Sequence, residues 1–135
     1  MKRGFTLLEL IVVIIIVGIL ATLGFVQYSK MVEKGRRAEG AQNLGALRSM
    51  AYVWNQEGGH ATEYPANGDI PGLVGLPTSC ASTHYFSYSM DGGSGVGTAT
   101  RCTSGGKSPD VGAGDAYSMT LTIDGTKGSS PAGLW

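Results

Sequence analysis

From residue 10 to residue 26 every position is apolar or small except Thr22, and the run is rich in isoleucine and valine. A segment that is greasy on all sides has no face for water, so it belongs in a core or in a membrane. At 1.5 Å per residue it reaches roughly 26 Å, slightly short of a hydrocarbon layer about 30 Å thick. Phe5, Leu7 and Leu8 extend it to spanning length. A buried strand of the same composition would stop after about 4 to 8 residues. A cleaved secretory signal would be shorter and would end in an A-x-A-like site, which Ala21-Thr22-Leu23 does not supply.

Helical patterning continues past the apolar run instead of stopping. No proline falls between residues 27 and 57, and Leu44, Leu47, Ala51 and Trp54 recur at helical spacing with Gln42, Ser49 and Gln56 opposite. This is an amphipathic helix whose stripe needs a partner. Upstream the stripe fades: Glu33, Arg36 and Arg37 project from roughly the same face, and Lys34, Arg36 and Arg37 read as a solvated or headgroup-facing surface. Gly35, Gly40 and Gly45 each weaken the helix by up to about 1 kcal/mol relative to alanine, and mark bends or close contacts. The pattern predicts one helix of about fifty residues, about 75 Å long, apolar over 5–28 and one-sided over 29–57. Tyr28, Tyr52 and Trp54 read as packing residues.

Gly58-Gly59 should stop the helix, and residues 58–83, with Pro65, Pro71 and Pro77, read as a long connecting loop. The period then changes to two. His84 to Met90 places Phe86, Tyr88 and Met90 on one face, Asp91-Gly92-Gly93 is a turn, and Val96 to Cys102 forms a second strand. After Ser104-Gly105-Gly106, residues 117–123 alternate apolar and hydroxyl side chains without a fault. The prediction is an α+β fold. A long N-terminal helix packs the stripe of Leu44, Leu47 and Trp54 on a small antiparallel sheet within residues 84–135.

Composition and charge narrow the chemistry. The formal net charge is zero, so nothing in the balance points to nucleic acid. The 22 glycines, mostly from Gly58 onward, suit turns and short strands. The two cysteines, Cys80 and Cys102, lack a CxxC pair or a histidine cluster, which argues against zinc. A single disulfide in an oxidising compartment is the better reading, against two separate buried thiols. Such a bridge would tie the loop to the second strand and contribute roughly 3 kcal/mol. His60 and His84 have no nucleophile partner, no P-loop or dinucleotide fingerprint is present, and no catalytic set or cofactor is expected. Asp110, Asp115 and Asp124 sit among glycines, where solvated turns are the favoured reading over a calcium site.

One acid breaks the pattern. Glu9 stands at the edge of the apolar run, where an unpaired charge costs several kcal/mol. Thr6-Leu7-Leu8-Glu9 fits an S/T-x-x-E capping box, which accounts for it locally. The alternative pairs it with a cation. A cut between Gly4 and Phe5 would leave an amine on Phe5 with a reference pKa near 8, about 6 Å along the axis from Glu9. The partner amine is then its own or that of a neighbouring, staggered chain.

Lys2-Arg3-Gly4-Phe5-Thr6-Leu7-Leu8-Glu9-Leu10, continuing to Gly18-Ile19-Leu20-Ala21 and Gln27-Tyr28, resembles the class III leader and N-terminus of type IV pilins and related pseudopilins. The resemblance covers roughly the first thirty residues. It implies that residues 1–4 are a leader removed by a prepilin peptidase, that Phe5 is N-methylated, and that Glu9 pairs with the Phe5 amine of another subunit. It implies a subunit held in the inner membrane with a cytoplasmic N-terminus and a periplasmic C-terminal domain. An assembly machinery then polymerises it with copies of itself into an extracellular pilus. Residues 58–83 would be the αβ-loop of such a fold. Relatives often carry proline where Val26 stands, so a proline kink should be absent here or moved, with Gly24 the nearest place to loosen the helix and residues 18–24 its weakest section. Two rivals stay open: a type II secretion pseudopilin, whose major form typically lacks this disulfide and holds calcium, and a membrane-anchored minor pilin acting as an adhesin or DNA-capture module.

Overall fold

A computed structural model describes residues 4–57, 63–107 and 116–135, with residue 73 described by its backbone alone. The expected Gly58-Gly59 helix stop, His60, Asp110, Asp115 and the basic pair Lys2 and Arg3 lie outside the described residues. Two helices, α1 (Leu7–Glu57) and α2 (Ile70–Val74), precede four strands: β1 (Phe86–Asp91), β2 (Val96–Arg101), β3 (Ser118–Thr122) and β4 (Lys127–Ser130). The fold is α+β, a long N-terminal helix packed with an antiparallel sheet of order β1-β2-β3-β4, as the pattern predicts. The chain divides into two compact units, Met1–Gly35 and Arg36–Trp135.

In the first unit the helix keeps its apolar side chains outward. Among Leu10, Ile11 and the apolar residues up to Val26, even the least exposed, Ile11, is 43% exposed. The polar residues there turn inward to the backbone: Thr22 Oγ1 donates to Ile19 O at 2.8 Å and Ser29 Oγ to Phe25 O at 3.1 Å. A hydroxyl that satisfies itself on its own helix can enter an apolar surround at little cost. This helix is long and apolar enough to cross a membrane.

In the second unit the same helix buries Gly40, Leu44, Leu47 and Ala51, spaced four, three and four apart. They meet one face of the sheet, where Phe86, Tyr88, Met90, Ala99, Met119 and Leu121 form the core. Trp54, expected on the stripe, is half-buried, whereas Tyr28 and Tyr52 are 67% and 58% exposed. At Gly40 the helix backbone comes close to side chains of the sheet. A Cβ there would lie 2.6 Å from Met119 Cε and 3.2 Å from the Phe86 ring. Of Gly35, Gly40 and Gly45, the middle one marks a close contact, while Gly35 and Gly45 face open space.

The strands begin and end within two residues of the predicted ones, and β1 and β2 pair from Phe86↔Arg101 to Asp91↔Val96. Their turn is fixed by Asp91, whose carboxylate accepts from Gly93 N at 3.0 Å and Ser94 Oγ at 2.6 Å, while Gly95 takes the left-handed conformation at φ 65°. These bonds hold the Asp91 carboxyl below its usual range. Two elements were not expected. One is α2, inside the stretch read as loop, and the other is β4, paired with β3 from Ser118↔Ser130 to Leu121↔Lys127. Ile70 at the start of α2 and Leu76 just after it are buried in the same core.

Both margins of the sheet are occupied. On β1, Tyr88 N donates to Pro77 O at 2.9 Å and Met90 N to Asn67 Oδ1 at 2.7 Å, so the 63–83 connection lies along that strand. Beside β4, Leu134 N donates to Ser129 Oγ at 3.3 Å and the Trp135 indole to Gly128 O at 2.5 Å. Both are covers of a kind that prevents strand-to-strand aggregation.

Tyr88 gives the core a pH signature. Burial pushes its phenol up to about 12; the Asn43 hydrogen bond opposes that shift and the Glu39 charge adds to it. Asn43 Nδ2 donates to the Tyr88 hydroxyl at 2.8 Å. The unfolded chain loses this proton near pH 10 and the folded chain near 12, so stability is intact below pH 10 and falls as pH rises through that window. Denaturant midpoints measured from pH 9 to 12 should drop for the parent chain, and Tyr88→Phe should remove that part of the slope.

Candidate functional site

The N-terminus of α1 is assembled by four residues. Thr6 N donates to Glu9 Oε2 at 2.9 Å, Thr6 Oγ1 donates to the same oxygen at 2.8 Å, and Glu9 N donates to Thr6 Oγ1 at 3.3 Å. This is the reciprocal capping box read from the sequence, formed in full. It fixes Glu9 on the first turn, fully exposed, with both bonds converging on one carboxylate oxygen and acceptor capacity remaining. Phe5 is 79% exposed, and Gly4 has no heavy atom within 4 Å of where a Cβ would stand. The link between Gly4 and Phe5 thus lies exposed, just before the first turn of α1 that carries Glu9.

Cys80 and Cys102 form the expected disulfide, with sulfurs 2.10 Å apart across a separation of 22 residues. Cys102 directly follows β2 and is fully buried, while Cys80 sits in the connection before β1. Gly106 packs against the bridge: a Cβ there would stand 2.4 Å from Cys102 Cβ.

The sequence reading of Arg36 and Arg37 as solvated or headgroup-facing is corrected by the structure. Both are half-buried; Arg36 stacks on the Tyr85 ring at 5.2 Å and Arg37 on the Tyr117 ring at 5.7 Å. Lys107 lies over Tyr85 from another direction at 5.0 Å. Arg101 was missed altogether. It is 2% exposed, donates from Nη1 to Tyr85 O at 3.1 Å and Cys102 O at 2.9 Å, and lies 5.5 Å from the Tyr85 ring. Its signal was available: the buried positions of β2 alternate as Gly97, Ala99 and Arg101, so a base occupies an inward site beside aromatic residues. Guanidinium groups suit such a place because they stack on rings and shed water more easily than an ammonium.

Asp124 is committed to the turn between β3 and β4. It accepts from Thr126 N at 2.9 Å and from the Thr122 hydroxyl, which holds its carboxyl below the usual range. Arg48 adds to that shift, and its Nε donates to Ile123 O at 2.8 Å. His84 Nδ1 lies 2.8 Å from Thr83 Oγ1. Among the described residues no cluster of three or more His, Cys, Asp or Glu side chains is arranged to hold a metal ion.

Comparison with known proteins agrees with this geometry. The family model for the prokaryotic N-terminal methylation motif matches residues 1–25. The chain is 35% identical over 78 residues to the type II secretion system core protein G of Escherichia coli (strain K12). That stretch covers 57% of this chain and 52% of the relative, so the chain spans about half the length of the curated protein it matches. No solved structure matches. The chain is thus similar to proteins carrying the N-terminal methylation motif over its first 25 residues, and to a type II secretion core protein over 57% of its length.

Proposed function

We propose that this chain is the structural subunit of a type IV pilus. It is held in the inner membrane by α1, cut after Gly4 by a prepilin peptidase and N-methylated at Phe5. An inner-membrane machinery then polymerises it with its own copies into an extracellular helical filament. The observation that carries this reading is Glu9, a carboxylate four residues after Phe5, on the first turn of a helix whose large apolar side chains up to Val26 are all exposed. Such a helix lies in lipid as a monomer and against its copies in a polymer, exchanging one apolar surround for another. Packing and the ion pair then set the balance.

Mass spectrometry of the mature chain tests the processing. The expected species begins at a methylated Phe5, and residues 1–4 retained in surface filaments would defeat the proposal. A second reading, a type II secretion pseudopilin, is favoured by the similarity to core protein G. The Cys80–Cys102 bridge supports the pilus instead. Shearing of intact cells separates the two: a pilus subunit is released as long surface fibres, whereas a pseudopilin stays with the envelope.

A further inference from the structure

A depression of about 420 Å³ lies at the β1–β2 hairpin, on the face of the sheet turned away from the core. Tyr88, Met90, Gly97 and Ala99 are the buried positions of these strands, so Ser89, Asp91, Val96 and Thr98 take the outer face. Ser89 pairs with Thr98 there, and Asp91 with Val96. Asn67 from the connection and Ser94 from the hairpin turn join them in the lining. The fold orients these groups. Asn67 Oδ1 accepts from Met90 N at 2.7 Å, which fixes the amide and leaves its Nδ2 hydrogens to donate elsewhere. Asp91 accepts Gly93 N on one carboxylate oxygen and the Ser94 hydroxyl on the other, so each oxygen keeps a lone pair. Among the described residues no bond within the chain takes up the Ser89 or Thr98 hydroxyl.

We infer that this depression binds a neutral oligosaccharide. Phosphate, sulfate and carboxylate groups need a cation, and among the described residues none lines it. A divalent cation needs several oxygen ligands, usually from more than one acid, and Asp91 is the one carboxylate present among the described lining residues. A flat heterocycle or a lipid chain needs aromatic or broad apolar walls, whereas Val96 and Met90 supply only a small aliphatic patch. A sugar ring has the matching division, with a C–H face to lay on Val96 and an edge of hydroxyls. The Asp91 carboxylate accepts from such hydroxyls, the Asn67 amide donates to them, and Ser89 and Thr98 do either. The same face carries further hydroxyls. Thr120 stands in register beside Thr98, and Ser87, Thr100 and Ser118 form a second row about 7 Å along the strands. Opposite Thr120 on β4 is Gly128, where a Cβ would stand 2.6 Å from the Thr120 hydroxyl, so the missing side chain leaves that hydroxyl uncovered by β4. A second sugar unit laid along these rows meets the same chemistry, which favours a short chain over a single ring. The inference stands apart from the polymer reading, since every group in it belongs to the Arg36–Trp135 unit.

The test titrates the purified full chain and follows its amide NMR signals, in dodecylphosphocholine so that no sugar headgroup competes. The probes are cellotetraose, maltotetraose and tetra-N-acetylchitotetraose, with tri-galacturonate and spermidine as charged comparisons. At least one neutral probe is expected to shift the Ser89, Ser94 and Thr98 amides saturably, and to bind more tightly than its own monosaccharide. Thr98→Val and Ser89→Ala each remove one hydroxyl from an outer-face strand position. Each is expected to weaken that probe by about threefold to tenfold, the worth of one neutral hydrogen bond. Unmoved signals elsewhere and an intact Cys80–Cys102 bridge report that the variants fold. The inference is overturned when no neutral probe moves those amides, when both folded variants bind as the parent does, or when a charged probe binds as tightly as the best neutral one. A monosaccharide bound as tightly as its tetrasaccharide would overturn the oligosaccharide assignment and the role given to the Thr120 row.

Discussion

Glu9→Gln is expected to abolish filament yield while leaving the membrane pool of subunit unchanged. The substitution is chosen because the capping box accepts glutamine at this position, so the Thr6 bonds and the start of α1 survive. What disappears is the charge. In the proposed polymer the Phe5 ammonium would then sit unpaired among apolar helices, and stripping one partner from such a pair costs about 3–5 kcal/mol. At each new subunit that is more than about a hundredfold in the assembly equilibrium. Quantitative shearing and electron microscopy measure the result. Parental fibre yield from this variant would remove the assembly role of Glu9 and leave the acid as a helix cap alone.

Phe86→Ala should be the most damaging single truncation in the core. The ring is fully buried, packs edge-on to Tyr117 at 5.8 Å and tilted to Tyr88 at 6.5 Å, and lies beneath Gly40 and beside Arg101 at 5.9 Å. Its loss costs about 3–5 kcal/mol, a large share of what a small domain has. It also removes part of the surface that shields Arg101. Guanidinium chloride unfolding of the purified chain in detergent should show the midpoint fall accordingly. A change below about 1 kcal/mol would mean that the helix and sheet re-close around the space, which the glycine contact at residue 40 argues against.

The sequence was a good guide wherever a signal was local and periodic. The Leu44–Leu47–Ala51 stripe and the alternation through Met119 and Leu121 each announce a buried face and are buried as expected, while the apolar run forms the exposed first half of α1. The box at Thr6 and Glu9 was equally legible, because every atom in it lies within one turn. What escaped depends on partners distant in sequence. β4 reads Lys-Gly-Ser-Ser with no apolar residue, and becomes a strand through its ladder to β3. α2 is hidden by Pro71, which is tolerated there because the first turn of a helix has amides without intrahelical acceptors. Arg36 and Arg37 read as solvated because Tyr85 and Tyr117, which they cover, belong to the sheet region.

The seal along both flanks of the sheet carries a consequence for how any fibre of this chain is put together. The Tyr88 and Met90 amides are engaged by the preceding connection, and the final residues bond to Gly128 O and the Ser129 hydroxyl, so among the described residues both flanks carry cover against a foreign strand. In the proposed polymer, each copy would then enter and leave as an intact, pre-folded brick.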